Sequence, residues 1–236
     1  MNPLVAAVRR LAYLVWYRRA KTSLERADAC SLFGLDLLVA PGVLHPRHFI
    51  SSQLLARQVL ALNLDGKTVA DIGTGSGILG LLAARSGASV TAVDLNPAAV
   101  ACATWNAKRN GLADRVTVIE SDVFENVPRE ARFDVVITNP PFYPRAADSL
   151  PDRAFAAGVG NGFFAKLAES LPGRLKKGGA LLMIHSSDAD FLPIGRMFEG
   201  RGMSGRIVSE RRGFFETLTI REFRTPDSPP AAAAGS

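Results

Sequence analysis

A chain of 236 residues, 47% hydrophobic and 21% charged, has room for one α/β domain with a full core and a short extension, and not for two independent domains. No apolar run reaches the ~18 residues of a membrane span, and Arg9 and Arg10 break the apolar N-terminal stretch that a secretory leader would need. The formal charge is +6, and residues 1–60 carry eight Arg and Lys against three Asp and Glu, so most of the excess sits ahead of the motifs below. Such a segment suits phosphate tracking along RNA and a solvated helix face equally.

In chain order, Leu4, Val8, Leu11 and Val15 fall at helical spacing and predict an amphipathic helix over 4–21. Leu32 to Val43 is apolar, with Pro41-Gly42 as a turn, and has room for a strand or two. A helix is expected over 48–64. A regular alternation follows, with strands at 69–72, 90–93, 116–120 and 135–138 and helices at 78–86 and 98–110, the last ended by Gly111. A helix over 162–177 precedes a strand at 180–185, and a helix over 188–200 precedes two strands, 206–209 and 215–224, that read as an antiparallel pair. This order predicts a mostly parallel sheet covered on both faces. Residues 225–236, rich in Pro and Ala, cannot bury a core and are expected to be disordered. Cys30 and Cys102 suggest neither a bridge nor a metal cluster and suit a reducing compartment, so cytoplasm is the default location.

The strand at 69–72 runs into Gly73-Thr74-Gly75-Ser76-Gly77 and then into a helix. In a doubly wound sheet this first strand-to-helix turn is where a cofactor comes closest to backbone, and glycine lets it approach. Asp94 ends the next strand, 21 residues after Gly73, near the offset at which an acid meets ribose hydroxyls. Asp122 follows the third strand and is placed either for an adenine amino group or as a helix cap. Gly75 to Gly80 also matches the dinucleotide pattern, so an NAD(P)-type oxidoreductase is the rival reading. Asp71 weighs against it, because a carboxylate there suits a cofactor bearing an ammonium and not one bearing a pyrophosphate.

Asn139-Pro140-Pro141-Phe142 follows the fourth strand. Two prolines stiffen the chain and remove two N–H donors, leaving an acceptor-rich backbone. Methylating an amide or exocyclic amine nitrogen requires its lone pair to be freed from conjugation. Two acceptors that each take one N–H, the Asn139 side-chain oxygen and the Pro140 carbonyl, serve that end. Phe142 offers a face on which a planar group can stack. Catalysis is then chiefly positioning and electrostatics.

With these residues in place, the chain resembles class I S-adenosylmethionine (SAM)-dependent methyltransferases of the small-methyltransferase-domain type. That family includes release-factor glutamine, tRNA adenine-N6 and ribosomal-RNA guanine-N2 methyltransferases. The resemblance implies a Rossmann-like seven-stranded sheet whose last strand is antiparallel. It also implies SAM contacts from Asp71, Gly73, Thr74, Gly75, Gly77, Asp94, Asp122 and Asn139, and a catalytic loop of Asn139, Pro140, Pro141 and Phe142. The segment from Pro41 to Leu55, with Ser51 and Ser52, is similar to guanine-N2 enzymes, and Gly158 to Phe163 to glutamine enzymes. The expected organisation is a basic helical extension (1–45), a methyltransferase domain (46–224) and a tail (225–236). The expected acceptor is a macromolecule, either RNA or a protein glutamine. The chain is expected to be a monomer with no membrane partner and no metal; His45 and His48 lack a carboxylate at ligand spacing. A non-catalytic RNA or protein binder that retains the fold is the third reading.

Overall fold

The computed structural model describes residues 24–141, 161–187, 189–213 and 216–225. The helix expected over 4–21, the tail from residue 226 and Phe142 lie outside these ranges.

Seven strands form one sheet: β3 (Thr68–Ile72), β4 (Ser89–Asp94), β5 (Val116–Glu120), β6 (Phe133–Thr138), β7 (Leu175–Ser186), β8 (Ser204–Arg212) and β9 (Thr217–Arg224). Their spatial order is β5-β4-β3-β6-β7-β9-β8. The pairs from β5 through β7 are parallel, and β9, the last strand in sequence, is antiparallel to both of its neighbours. This is the architecture expected from the alternating pattern.

The period of two along each strand divides the core between two faces. Val69, Ile137, Leu182 and Ile184 turn to the face covered by α1 (Ile50–Leu60) and α2 (Ile78–Arg85). Ala70, Ile72, Val136, Leu181 and Met183 turn to the face covered by α4 (Gly162–Ser170) and α5 (Phe191–Glu199). α3 (Pro97–Arg109) starts with Asn96 accepting from the Ala98 N–H and Pro97 in its first turn, the preferred chemistry for a helix start.

Residues 28–39, within the stretch expected to be a helical extension, form a hairpin of β1 (Asp28–Leu32) and β2 (Leu35–Val39). Its two-residue turn, Phe33 (φ 52°) and Gly34 (φ 73°), has both residues left-handed, the geometry that matches strand twist. Cys30, Leu35 and Leu37 bury in the same core as α1 and α2, so the hairpin is part of the domain. Two asparagines one turn apart, Asn106 in α3 and Asn110 capping its C-terminal end, act as a substitute strand for β2. Asn110 Oδ1 accepts from the Asp36 N–H (2.9 Å) while its Nδ2 donates to the Asp36 carbonyl (2.9 Å). Asn106 does the same at Leu38, with both bonds at 2.8 Å.

The helix expected over 162–177 stops at Ser170. A 3-10 turn, Leu171–Gly173, follows, and β7 begins at Leu175. Pro172 cannot donate into a continuing helix. Lys176 and Lys177 favour helix locally, yet they enter the strand because Leu175 pairs with Phe133 on β6, across a register shift between Phe133 and Val135. Pairing with a central strand outweighs local propensity there. The helices expected over 48–64 and 188–200 span 50–60 and 191–199.

Candidate active site

β3 and β6 lie side by side although β4 and β5 intervene in sequence, so the chain leaves the sheet in opposite directions from this pair. A crevice opens at the carboxyl ends of strands where that happens. Ile72 is opposite Thr138, and Thr138 Oγ1 donates to the Ile72 carbonyl at 2.9 Å. Gly73 and Asn139 are therefore each the first residue past paired neighbouring strands, at the same crevice.

The glycine loop is fastened from below and from the side. The Gly73 and Thr74 N–H groups both donate to the Val93 carbonyl at 2.9 Å. Gly77 starts α2 with φ +86°, and a β-carbon there would sit 3.1 Å from the Ala103 β-carbon and 3.2 Å from its α-carbon. No other residue fits that position without strain. Gly75 has φ +55° and faces Val43, which brings the stretch after the hairpin over the loop. Asn106 Nδ2 donates to the Ser76 carbonyl at 2.8 Å, so the residue that docks the hairpin also holds the loop.

Asp71 is fully buried beneath the loop. Its Oδ2 accepts from Thr74 Oγ1 (2.6 Å) and from the Gly80 N–H (2.9 Å). Burial pushes its pKa up to about 6 against these two bonds, which hold it down. Its Oδ1 has no hydrogen-bond partner among the described residues. A buried carboxylate with one idle oxygen fits a cofactor that brings a positive ammonium.

Asp94 turns one oxygen to the Gly75 N–H and the other to the Asn96 N–H, both at 2.9 Å. Burial raises its pKa, and these backbone donors oppose the rise. Each oxygen keeps a lone pair for a ribose hydroxyl. Asp122 lies past β5 and is ion-paired to Lys166 on α4 at 2.6 Å, with Glu125 on the same ammonium. No sequence signal singles out Lys166, because α4 and the 120–125 turn meet only through the fold. The residue after Asp122, Val123, holds φ 55°, a strained conformation for a β-branched side chain.

Asn139 is half-buried, and its Nδ2 donates to Ser52 Oγ (3.0 Å) and Ser51 Oγ (3.4 Å) in the first turn of α1. Its Oδ1 is buried and has no partner among the described residues. Pro140 is buried beside it and Pro141 half-buried. Thus the glycine loop, Asp71, Asp94 and Asn139 lie at the ends of neighbouring strands, and the two serines join Asn139 there.

His185 ends β7 as a buried, neutral ring. It stacks on Phe191 (3.9 Å, 15°) and accepts from Arg221 Nε at 3.1 Å. Burial holds its pKa down to about 4. His45 and His48 do have a carboxylate near them, contrary to the expectation from spacing: Asp28 completes a group whose ligand atoms lie within 4.8 Å of one another. Yet His45 Nδ1 already accepts from the Arg47 N–H at 3.2 Å. A neutral ring then carries its proton on Nε2, the nitrogen 3.3 Å from Asp28, where a metal would need a lone pair.

The sequence profile of the methyltransferase small domain matches residues 35–200. The chain belongs to that family. This methyltransferase is 36% identical over 160 residues to a Methanocaldococcus jannaschii protein provisionally named a protein N5-glutamine methyltransferase, covering 65% of this chain and 77% of that one. It is 33% identical over 162 residues to the release factor glutamine methyltransferase of Geobacter sulfurreducens, covering 64% and 55% respectively. It superposes with TM-score 0.61 and 26% identity on a 16S rRNA N2 methyltransferase of T. thermophilus solved with AdoMet and guanosine, over 85% of this chain and 50% of that one. The chain thus spans only about half the length of some of these relatives. SAM is the cofactor of this methyltransferase, and the orphaned Asp71 oxygen and the glycine cradle fit it.

Proposed function

We propose that the methyltransferase transfers a methyl group to the side-chain amide nitrogen of a glutamine in a protein of the translation machinery. The observation that carries this reading is the buried Asn139 Oδ1, unpartnered among the described residues at the crevice one strand away from the glycine loop. An unmet buried acceptor is costly, and an incoming N–H relieves the cost.

When bound, SAM supplies an electrophilic methyl group. The chain's own residues bind and orient. Asp94 takes the ribose hydroxyls, Asp71 faces the ammonium, and Asp122 lies at the adenine end. Asn139 Oδ1 and the Pro140 carbonyl each accept one N–H of the acceptor's NH2. Its lone pair is thereby drawn out of conjugation, and the proton is lost to solvent after transfer. Phe142 supplies the stacking face in this scheme. The names of the M. jannaschii and G. sulfurreducens relatives support glutamine. The guanosine-bound relative favours a second reading, a guanine N2 amine in ribosomal RNA, which presents the same planar NH2. Either acceptor belongs to the translation machinery, which supports a cytoplasmic location for the protein. Among the described residues no helix is long and apolar enough to cross a membrane.

The test supplies methyl-tritiated SAM with a purified release factor in one tube and ribosomal RNA in another. Label in the release factor, resistant to nuclease, is expected. Asn139→Ala should abolish the transfer while leaving SAM affinity nearly unchanged. Transfer retained by that variant refutes the role given to Asn139.

A further inference from the structure

An asparagine amide has two orientations of almost the same shape, related by half a turn about its last side-chain bond, and only one points an acceptor at the substrate. We propose that Ser52, assisted by Ser51, is the positioning residue that sets this orientation and so holds Asn139 Oδ1 toward the acceptor nitrogen. The inference rests on the function proposed above.

Nδ2 carries two hydrogens, and two hydroxyl oxygens stand opposite it, Ser52 Oγ at 3.0 Å and Ser51 Oγ at 3.4 Å. The serines therefore meet the whole donor capacity of the amide and leave Oδ1 idle. In the reversed orientation both N–H groups would lie at the buried position now held by Oδ1, and Oδ1 would face the hydroxyls. Two buried donors would then lack partners in place of one acceptor, and unmet buried donors are the rarer and costlier state. A donor facing the substrate's own N–H would also repel it. The existing arrangement leaves a single unmet site, of the one polarity that an NH2 group can satisfy. The bonds to Nδ2 polarise the amide further and strengthen Oδ1 as an acceptor.

The serines are held firmly enough to do this. They occupy the first turn of α1, an 11-residue helix anchored in the core through Leu55, Ala56 and Val59. Gln53 Nε2 in the same turn donates to the Arg47 carbonyl at 2.8 Å, which fixes the chain entering the helix. Asn139 lies on the other side of the crevice, 87 residues away from Ser52 in sequence. The two halves of the catalytic geometry thus come from α1 and from the end of β6, and neither is complete alone.

The test compares Ser52→Ala, Ser51→Ala, the double variant, Ser52→Thr and Asn139→Ala. Alanine favours helix more than serine, so α1 should survive the changes. With the acceptor that wild type labels, kcat should fall about fivefold in Ser52→Ala, the worth of one neutral hydrogen bond, and further in the double variant. KM and Kd for SAM and the thermal midpoint should hold, and Ser52→Thr, which restores a hydroxyl, should recover most of kcat. In 15N–1H spectra the Asn139 side-chain NH2 pair, assigned by its loss in Asn139→Ala, should shift in Ser52→Ala, a readout that needs no acceptor. An unshifted NH2 pair, or unchanged kcat in the double variant beside an inactive Asn139→Ala, overturns the positioning role and leaves the proposed function standing. A fall in kcat that brings SAM affinity or the midpoint down with it, or that threonine fails to recover, also overturns it by making the serines merely structural. Activity retained by Asn139→Ala instead removes the proposed function itself.

Discussion

Replacing Asp71 by asparagine should separate folding from cofactor binding, and the structure sets both magnitudes. Burial lifts the Asp71 pKa from 3.8 to about 6, and each tenfold change in proton affinity is worth about 1.4 kcal/mol, so the ionised carboxylate costs the SAM-free protein about 3 kcal/mol at neutral pH. The folded state holds this proton longer than the unfolded chain does. Its contribution to stability is therefore greatest below pH 4, falls as pH rises toward 6, and is flat above that. An asparagine oxygen at the Oδ2 position keeps the bonds from Thr74 and Gly80. Its NH2 then takes the orphan site, which costs about 1–3 kcal/mol for an unmet buried donor. At pH 7 Asp71→Asn should thus unfold in urea at the wild-type midpoint or above it, and at pH 4 below it. SAM binding should behave in the opposite way. If the idle oxygen faces the ammonium, binding favours the ionised form, so wild-type affinity measured by titration calorimetry should rise between pH 5 and pH 7. The variant should lack that rise and bind roughly ten- to a hundredfold more weakly at pH 7, the worth of a charge-assisted bond. SAM affinity that is flat from pH 5 to 7 and equal in the two proteins would refute this placement of the ammonium.

Asp94→Ala should weaken SAM binding by about 1–3 kcal/mol through the lost ribose contacts, with the Gly75 and Asn96 N–H groups also left without their acceptor; calorimetry checks it. Gly77→Ala forces a β-carbon against the Ala103 backbone at a left-handed φ and should lower the thermal midpoint by several degrees, with SAM binding lost in parallel. Asn106→Ala removes three hydrogen bonds, two part-buried ones to β2 and a buried one to the glycine loop, and should cost about 3 kcal/mol in urea unfolding. Hydrogen exchange of the β1–β2 hairpin should speed up in that variant before the central strands do.

The elements legible in the sequence are those with a strong period and a local stop signal. β5, an edge strand rich in β-branched residues, and the loop after β3 fall where the pattern puts them, because β-branched runs favour strand and the turn after β3 needs glycine. The start of β7 was not legible, since Lys176 and Lys177 read as helix and are strand only through pairing with β6. The β1–β2 hairpin was half-legible. Its apolar run stood out, but its docking depends on Asn106 and Asn110, which read as ordinary helix residues until β2 lies against them.

The sequence by itself determined the family, the sheet and the strand ends at which the chemistry-bearing residues gather, because loops after parallel strands all open on the same edge. Only the tertiary structure decided which side chains meet across that edge: Ser51 and Ser52 with Asn139, Lys166 with Asp122, and Asp28 with His45 and His48. Those pairings follow from strand order and helix packing, which join residues far apart in the chain and leave no periodic trace in the sequence around them.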